Sequence, residues 1–141
     1  MSFAVGDILF FREYQFSDNA EVRPHFALVL LPETATKYEG SILCCVITSR
    51  SPKFWGLLLR QVIYKCFQCD SYACFDRKDL VSMSGLHESQ QPKGTLTTTD
   101  KRIGFKTLKK SLYVVKDMAS DPFFRGVIIY HWKKALGLIK P

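Results

Sequence analysis

Arg23-Pro24-His25-Phe26-Ala27-Leu28-Val29-Leu30-Leu31-Pro32 is the stretch on which the fold class turns. Residues 26–31 are apolar without interruption, the pattern of a strand covered on both faces, and Pro32 stops it because proline has no amide proton for a ladder. On its N-terminal side, residues 7–12 (Asp-Ile-Leu-Phe-Phe-Arg) are a short strand signal opened by Gly6, and residues 14–25 read as a loop. On its C-terminal side, a turn at residues 37–40 leads into Ser41-Ile42-Leu43-Cys44-Cys45-Val46-Ile47-Thr48, a third strand rich in β-branched and thiol side chains.

Further along, Ser51-Pro52 opens either a short helix or an apolar strand through Phe54, Trp55, Leu57 and Leu58. Residues 62–67 and 72–75 predict two more strands, with residues 76–81 continuing toward another short pairing. The composition then turns polar. Pro92, Gly94 and the threonines at 97, 98 and 99 predict a surface loop or weak hairpin over residues 87–102. After it the period changes: Leu108, Leu112 and Val115 recur at i, i+4 and i+7 with Lys109, Lys110 and Lys116 between them, which predicts an amphipathic helix. Asp121-Pro122 supplies an N-cap and a first-turn proline for a second helix through Val127, Ile128, Trp132 and Leu136 to Gly137. Strands first and helices last predict one α+β domain over residues 1–141. Its expected parts are a small curled antiparallel barrel over about 1–86, the polar loop over about 87–102, and helices over about 103–139 packed on one side.

A chain of 141 residues removes roughly 68% of its unfolded surface from water on folding, so one core suffices. Hydrophobic residues at 47% and aromatics at 13% exclude a disordered chain. Twenty Lys and Arg against 13 Asp and Glu give a net charge of +7, which favours polyanionic partners. No secretory signal pattern opens the chain, and no apolar run reaches the ~18 residues of a membrane span, so the expected location is the cytoplasm, away from any membrane. The five cysteines are an odd number, and neighbours on a strand point to opposite faces, so Cys44 and Cys45 predict reduced, partly buried thiols rather than a disulfide framework. Cys66-x-x-Cys69, with Cys74 five residues on, has the spacing of a zinc half-site. A structural zinc takes four ligands, and only Cys44, Cys45 or His87 from a distance could complete the set. Neither a metal nor a cofactor is expected.

Gly6-Asp7-Ile8, Arg23-Pro24, Ala27-Leu28-Val29-Leu30, Val46-Ile47-Thr48-Ser49 and Asp70-Ser71-Tyr72-Ala73-Cys74-Phe75-Asp76 follow, in order, a pattern that resembles the PemK/MazF-like toxin family. The resemblance covers roughly the first 81 residues. It implies an SH3-like barrel, a homodimer, a small antitoxin as protein partner, and metal-independent cleavage of single-stranded RNA. In that reaction the ribose 2′-hydroxyl attacks the adjacent phosphate, giving a 2′,3′-cyclic phosphate and a 5′-hydroxyl end. The chain departs from the pattern in two respects: His25-Phe26 intervene between Arg-Pro and the apolar strand, and Cys74-Phe75 stand where some relatives carry an arginine just before the acidic residue.

Such chemistry needs a group that takes the 2′-hydroxyl proton, one that protonates the leaving oxygen, and donors for the charge growing on phosphorus. Arg23 suits the donor role, since its permanently charged fork grips two phosphate oxygens, and the resemblance implies that it also acts near the proton transfers. A surface ion pair with Glu21 or Glu33 is the plainer alternative for it. Thr48 can orient a phosphate oxygen from a strand end, or satisfy a backbone group there. An unperturbed imidazole titrates near neutral pH, which makes His25 a candidate general base, although a histidine at a strand start can equally be structural. Asp76 could orient Arg23 or accept from a base edge. Arg12, Ser49, Arg50, Lys53 and Arg77 complete the expected RNA contacts, interleaved with rings such as Phe10, Phe11, Tyr14, Phe54 and Trp55 that could stack on bases or simply be core. The lysines of the first terminal helix could form a phosphate track or a solvated face. Two rival functions remain at this level: a non-catalytic RNA- or protein-binding barrel, and a toxin of the same fold directed at gyrase.

Overall fold

The computed structural model describes residues 3–14, 23–33, 40–52, 54–82 and 91–139. Six strands form one antiparallel sheet: β1 (Asp7–Tyr14), β2 (Arg23–Leu31), β3 (Ser41–Thr48), β4 (Gly56–Leu59), β5 (Ser71–Ser82) and β6 (Gly94–Thr95). Their order is β4-β5-β3-β2-β1-β6, so β4 and β6 are its two edges and the curled sheet is an open half-barrel. Helices α1 (Thr98–Val114) and α2 (Pro122–Ala135) follow, joined through a 3-10 turn at Met118–Ser120. The fold is the α+β small barrel that the strand-then-helix order predicts.

Residues 27–31 of β2 and 42–47 of β3 are all buried, as expected for central strands with two covered faces. Alternation sorts them. Ile8, Leu28, Leu43, Cys45, Ile47, Leu57, Leu59 and Phe75 pack with Phe105, Leu108, Leu112, Phe124, Ile128 and Trp132 of the helices. Leu9, Phe11, Ala27, Val29, Ile42, Cys44, Val46, Cys74 and Val81 form the second cluster on the opposite face. Cys44 and Cys45 therefore belong to different cores, and none of the five cysteines is in a disulfide.

Several sequence expectations are corrected or decided. Residues 62–67 are turns, not a strand. Ile63 and Tyr64 donate their N–H groups to Arg60 O at 3.0 and 2.9 Å, Phe67 donates to Tyr64 O at 3.2 Å, and the Asp70 carboxylate ties the segment off by accepting from Gln61 N–H at 2.8 Å. Tyr64 and Phe67, three residues apart, then share one inward side, so burial against the helical layer prevails over strand propensity. Residues 72–81 are one strand rather than two. It holds a register shift between the pairs Cys45–Lys78 and Val46–Cys74, which leaves Phe75, Asp76 and Arg77 as a bulge without β3 partners. Of the two readings left open for the stretch after Pro52, the apolar strand is the one found, with β4 beginning at Gly56. The polar segment ends earlier than 102. It contains β6, and α1 starts at Thr98 because Thr97 accepts from Asp100 N–H at 3.1 Å and serves as N-cap. The second helix begins as expected, with Asp121 accepting from Phe123 N–H at 3.1 Å and Pro122 in the first turn, and Gly137 (φ +71°) lies just past its end. The loop expected at 14–25 is shorter, because Tyr14 ends β1 and Arg23 opens β2; residues 15–22, and 37–39 of the expected turn, lie outside the described residues.

Candidate RNA-binding groove

The ends of β2 and β3 adjoin the β5 bulge, and the chain leaves β3 there through Ser49, Arg50 and Ser51. This rim surrounds a groove of about 700 Å³ lined by Phe10, Pro24, His25, Phe26, Val46, Ile47, Thr48, Ser49, Arg50 and Arg77. Among the described residues its polar side chains are two guanidinium groups, one imidazole and two hydroxyls, and none is a carboxylate. A concave surface so composed presents donors and positive charge to whatever enters it, and suits an anion.

The strand register brings His25 and Thr48 together. The ladder pairs Phe26 with Ile47, and one further step along both strands sets His25 beside Thr48. His25 is also paired with Phe11, and Thr48 with Tyr72, so Phe11, His25, Thr48 and Tyr72 form one row across four strands. Side chains opposed in this way have Cβ atoms about 5 Å apart. Thr48 Oγ1 accepts from Arg50 N–H at 3.3 Å. With one lone pair turned to that amide, the hydroxyl keeps its proton for another acceptor.

Backbone features hold the two arginines. Arg77 leaves the sheet from the bulge, which Lys78 closes by donating through Nζ to Phe75 O. The same Nζ lies 2.7 Å from Asp117 Oδ2, with the lysine side chain wholly buried, so the bulge is tied to the turn between the helices. Arg50 rides on a segment pressed against β4: a Cβ on Gly56 would stand 2.1 Å from Pro52 Cγ, so only glycine admits this approach. Phe10 and Phe26, with ring centroids 4.9 Å apart, form an aromatic wall, and Phe67 meets Phe26 edge-on at 4.9 Å.

Of the residues singled out from sequence, His25, Thr48, Ser49, Arg50 and Arg77 line the one groove. Arg23 opens β2 with its backbone opposite Tyr14, next to the lining Pro24; its side chain lies outside what is described, as does Lys53. Asp76, exposed on the bulge, and Arg12, exposed on β1, are not part of the lining. Sequence reasoning missed Tyr72, which the register of β3 against β5 would have revealed, and Lys78, whose burial depends on the unforeseen bulge. Among the described residues no group of three or more His, Cys, Asp or Glu could hold a metal ion, and no helix is long and apolar enough to cross a membrane. A smaller hollow of about 260 Å³ involves Tyr64, Lys65, Cys66, Lys93 and Thr97. The Thr97 hydroxyl there is already engaged as the α1 cap.

No protein-family model matches the chain, and no curated protein matches it.

Proposed function

We propose that this chain is a metal-independent endoribonuclease of the PemK/MazF type that cleaves single-stranded RNA. The supporting observation is the groove whose described lining includes an imidazole, a threonine hydroxyl and two guanidinium groups and no carboxylate. In this reading His25 takes the 2′-hydroxyl proton, and the 2′-oxygen bonds to phosphorus. The bond to the 5′-oxygen breaks, and that oxygen takes a proton from solvent water to leave as a 5′-hydroxyl while a 2′,3′-cyclic phosphate remains. Arg50, Arg77 and the Thr48 hydroxyl hydrogen-bond the phosphoryl oxygens, where charge accumulates. Arg23, foremost in the motif resemblance and one residue before the groove lining, joins them. Phe10 and Phe26 offer faces on which an unpaired base can stack.

The proposal extends to partners and place: a cytoplasmic protein, a homodimer, and a small antitoxin that neutralises it. Exposed Phe54, Leu58, Val62 and Ile63 beside the edge strand β4 give apolar surface for a protein contact.

The deciding experiment incubates the purified protein with single-stranded RNA in EDTA and analyses the new ends. Cyclic-phosphate and 5′-hydroxyl termini, lost in His25→Ala and in Arg23→Ala, are expected. Binding without cleavage by the wild-type chain would replace the enzyme with a binding module, and arrested growth with intact RNA and altered DNA topology would point to gyrase.

A further inference from the structure

The positive charge of this chain is not where the groove is. Residues 1–90 carry nine Lys and Arg against ten Asp and Glu, whereas residues 91–141 carry eleven against three. The net +7 thus resides entirely in the segment that forms β6 and the helical layer. The three acids of that segment are occupied. Asp100 accepts from the Tyr64 hydroxyl, Asp117 pairs with Lys78, and Asp121 caps α2.

On α1 the charge is also arranged. Buried Gly104, Phe105, Leu108, Ser111 and Leu112 mark the inward face. At 100° per residue, Arg102, Lys106, Lys110 and Tyr113 fall within an arc of about 80° on the opposite face, and all four are exposed. Among the described residues none of the three cations has a carboxylate partner. Successive cations four residues apart rise about 6 Å along the axis, a step that one extended nucleotide bridges. Tyr113, 65% exposed, carries the Arg125 guanidinium 4.3 Å above its ring, which extends the row onto α2.

We propose that this outer face of α1, with Arg125, is a second RNA-binding surface: a phosphate track of Arg102, Lys106 and Lys110 ending at an aromatic platform, Tyr113. It takes its polyanion from the function proposed above, but it does not depend on cleavage. An anionic bilayer fits less well, because a helix lying in a membrane surface buries its apolar face there and α1 has committed Phe105, Leu108 and Leu112 to the protein core. An acidic protein would meet the same charges, yet it would give no role to an exposed ring at the end of evenly stepped cations, a combination that single-strand binding uses.

The test uses the full chain and a 2′-O-methylated single-stranded oligoribonucleotide, which cannot be cut, long enough to cover the ~25 Å of α1. Replacing Arg102, Lys106 and Lys110 by Gln keeps helix propensity, and an unchanged melting temperature would certify the fold. Loss of three phosphate contacts is expected to make the slope of log K against log salt shallower by about 2. The charge-retaining set Arg102→Lys, Lys106→Arg and Lys110→Arg should restore it, and Tyr113→Ala should weaken binding with little change in slope. Cleavage of a fragment short enough to occupy the groove alone should match wild type. An unaltered slope and affinity in the Gln variant overturns the track, as does equal loss of binding to polyglutamate at matched charge, which would make the occupant a protein. If the wild-type chain cuts no RNA but the slope still depends on these three residues, the nuclease reading fails and the track stands.

Discussion

The indole Nε1 of Trp132 donates a hydrogen bond to the backbone oxygen of Leu30, 3.1 Å away. Both residues are fully buried. The β2–β3 register shifts between Val29 and Leu31, so Leu30 lies at an irregularity where the ladder supplies no partner. A helix side chain does so instead. Trp132→Phe keeps most of the apolar volume but leaves that oxygen unsatisfied, an expected loss of about 1–3 kcal/mol. Trp132→Ala should lose about 3–5 kcal/mol. Urea denaturation measures both, and a Phe variant as stable as wild type would show the bond to be dispensable.

The Lys78–Asp117 pair should respond unequally to its two deletions. Asp117→Asn leaves an ammonium group buried with only the Phe75 oxygen, and removal of one partner from a buried pair costs about 3–5 kcal/mol. Lys78→Met removes the buried charge itself and leaves a carboxylate 21% exposed that still accepts from Ala119 N–H at 2.8 Å. The Met variant should therefore be the more stable of the two. The reverse order in chemical denaturation would contradict the account of the bulge.

How far the sequence reached depends on which force governs each segment. The central strands were legible because continuous apolar runs, stopped by Pro32 and by the polar exit after Thr48, leave few other solutions. Residues 62–67 were not. Val62, Ile63 and Tyr64 have strand propensity, but Asp70 closes a turn on Gln61, and the contacts that decide the matter come from a helix some forty residues later. The start of α1 could have been read from Thr97-x-x-Asp100, a capping pattern masked by the run of threonines. For the groove, residue types and order were readable, since His25, Thr48, Arg50 and Arg77 were all singled out. The exclusion of Asp76 was not, because it follows from a three-residue bulge with no signature in composition.

Thiol chemistry should separate the cysteines. Cys69 is exposed and Cys66 half-buried, whereas Cys44, Cys45 and Cys74 are buried. Burial pushes the Cys44 and Cys45 thiols up, with Asp79 adding to the effect at Cys44 and Cys74 at Cys45. Alkylation of the native protein at pH 8, followed by mass spectrometry, should label Cys69 first, Cys66 more slowly, and the other three only on unfolding. The raised folded-state values also set a direction for stability. It is fully present below the unfolded thiol value of about 8.5 and falls as pH rises above it, because the unfolded chain then releases protons that the folded chain retains. A denaturation midpoint that rises between pH 8 and 10 would contradict this.

Two helix glycines predict opposite constraints. Gly126 of α2 has nothing within 4 Å of a built Cβ, so Gly126→Ala should stabilise by about 0.5–1 kcal/mol through helix propensity. At Gly104 a Cβ would stand 3.0 Å from Leu57 Cδ2, where α1 meets β4, so Gly104→Ala should gain less than Gly126→Ala or lose. Thermal melts of the two variants compare them directly.

At the groove, Thr48→Val keeps the shape and removes the hydroxyl, whereas Thr48→Ser keeps the hydroxyl. If the hydroxyl stabilises charge on the phosphorane, the Val variant should lose about 10²-fold in kcat, and the Ser variant should stay near wild type. Equal turnover by all three proteins would remove Thr48 from the chemistry.

Arg77 and Lys78 are consecutive, yet one lines the open groove and the other is wholly buried against Asp117. Because neighbouring positions of a strand face opposite ways, losing one residue from the bulge would exchange them, sending a guanidinium toward the helices and an ammonium toward solvent. Insertions and deletions in this short segment should therefore be tolerated far less readily than substitutions, and its length becomes a more telling mark of kinship than the identity of any amino acid within it.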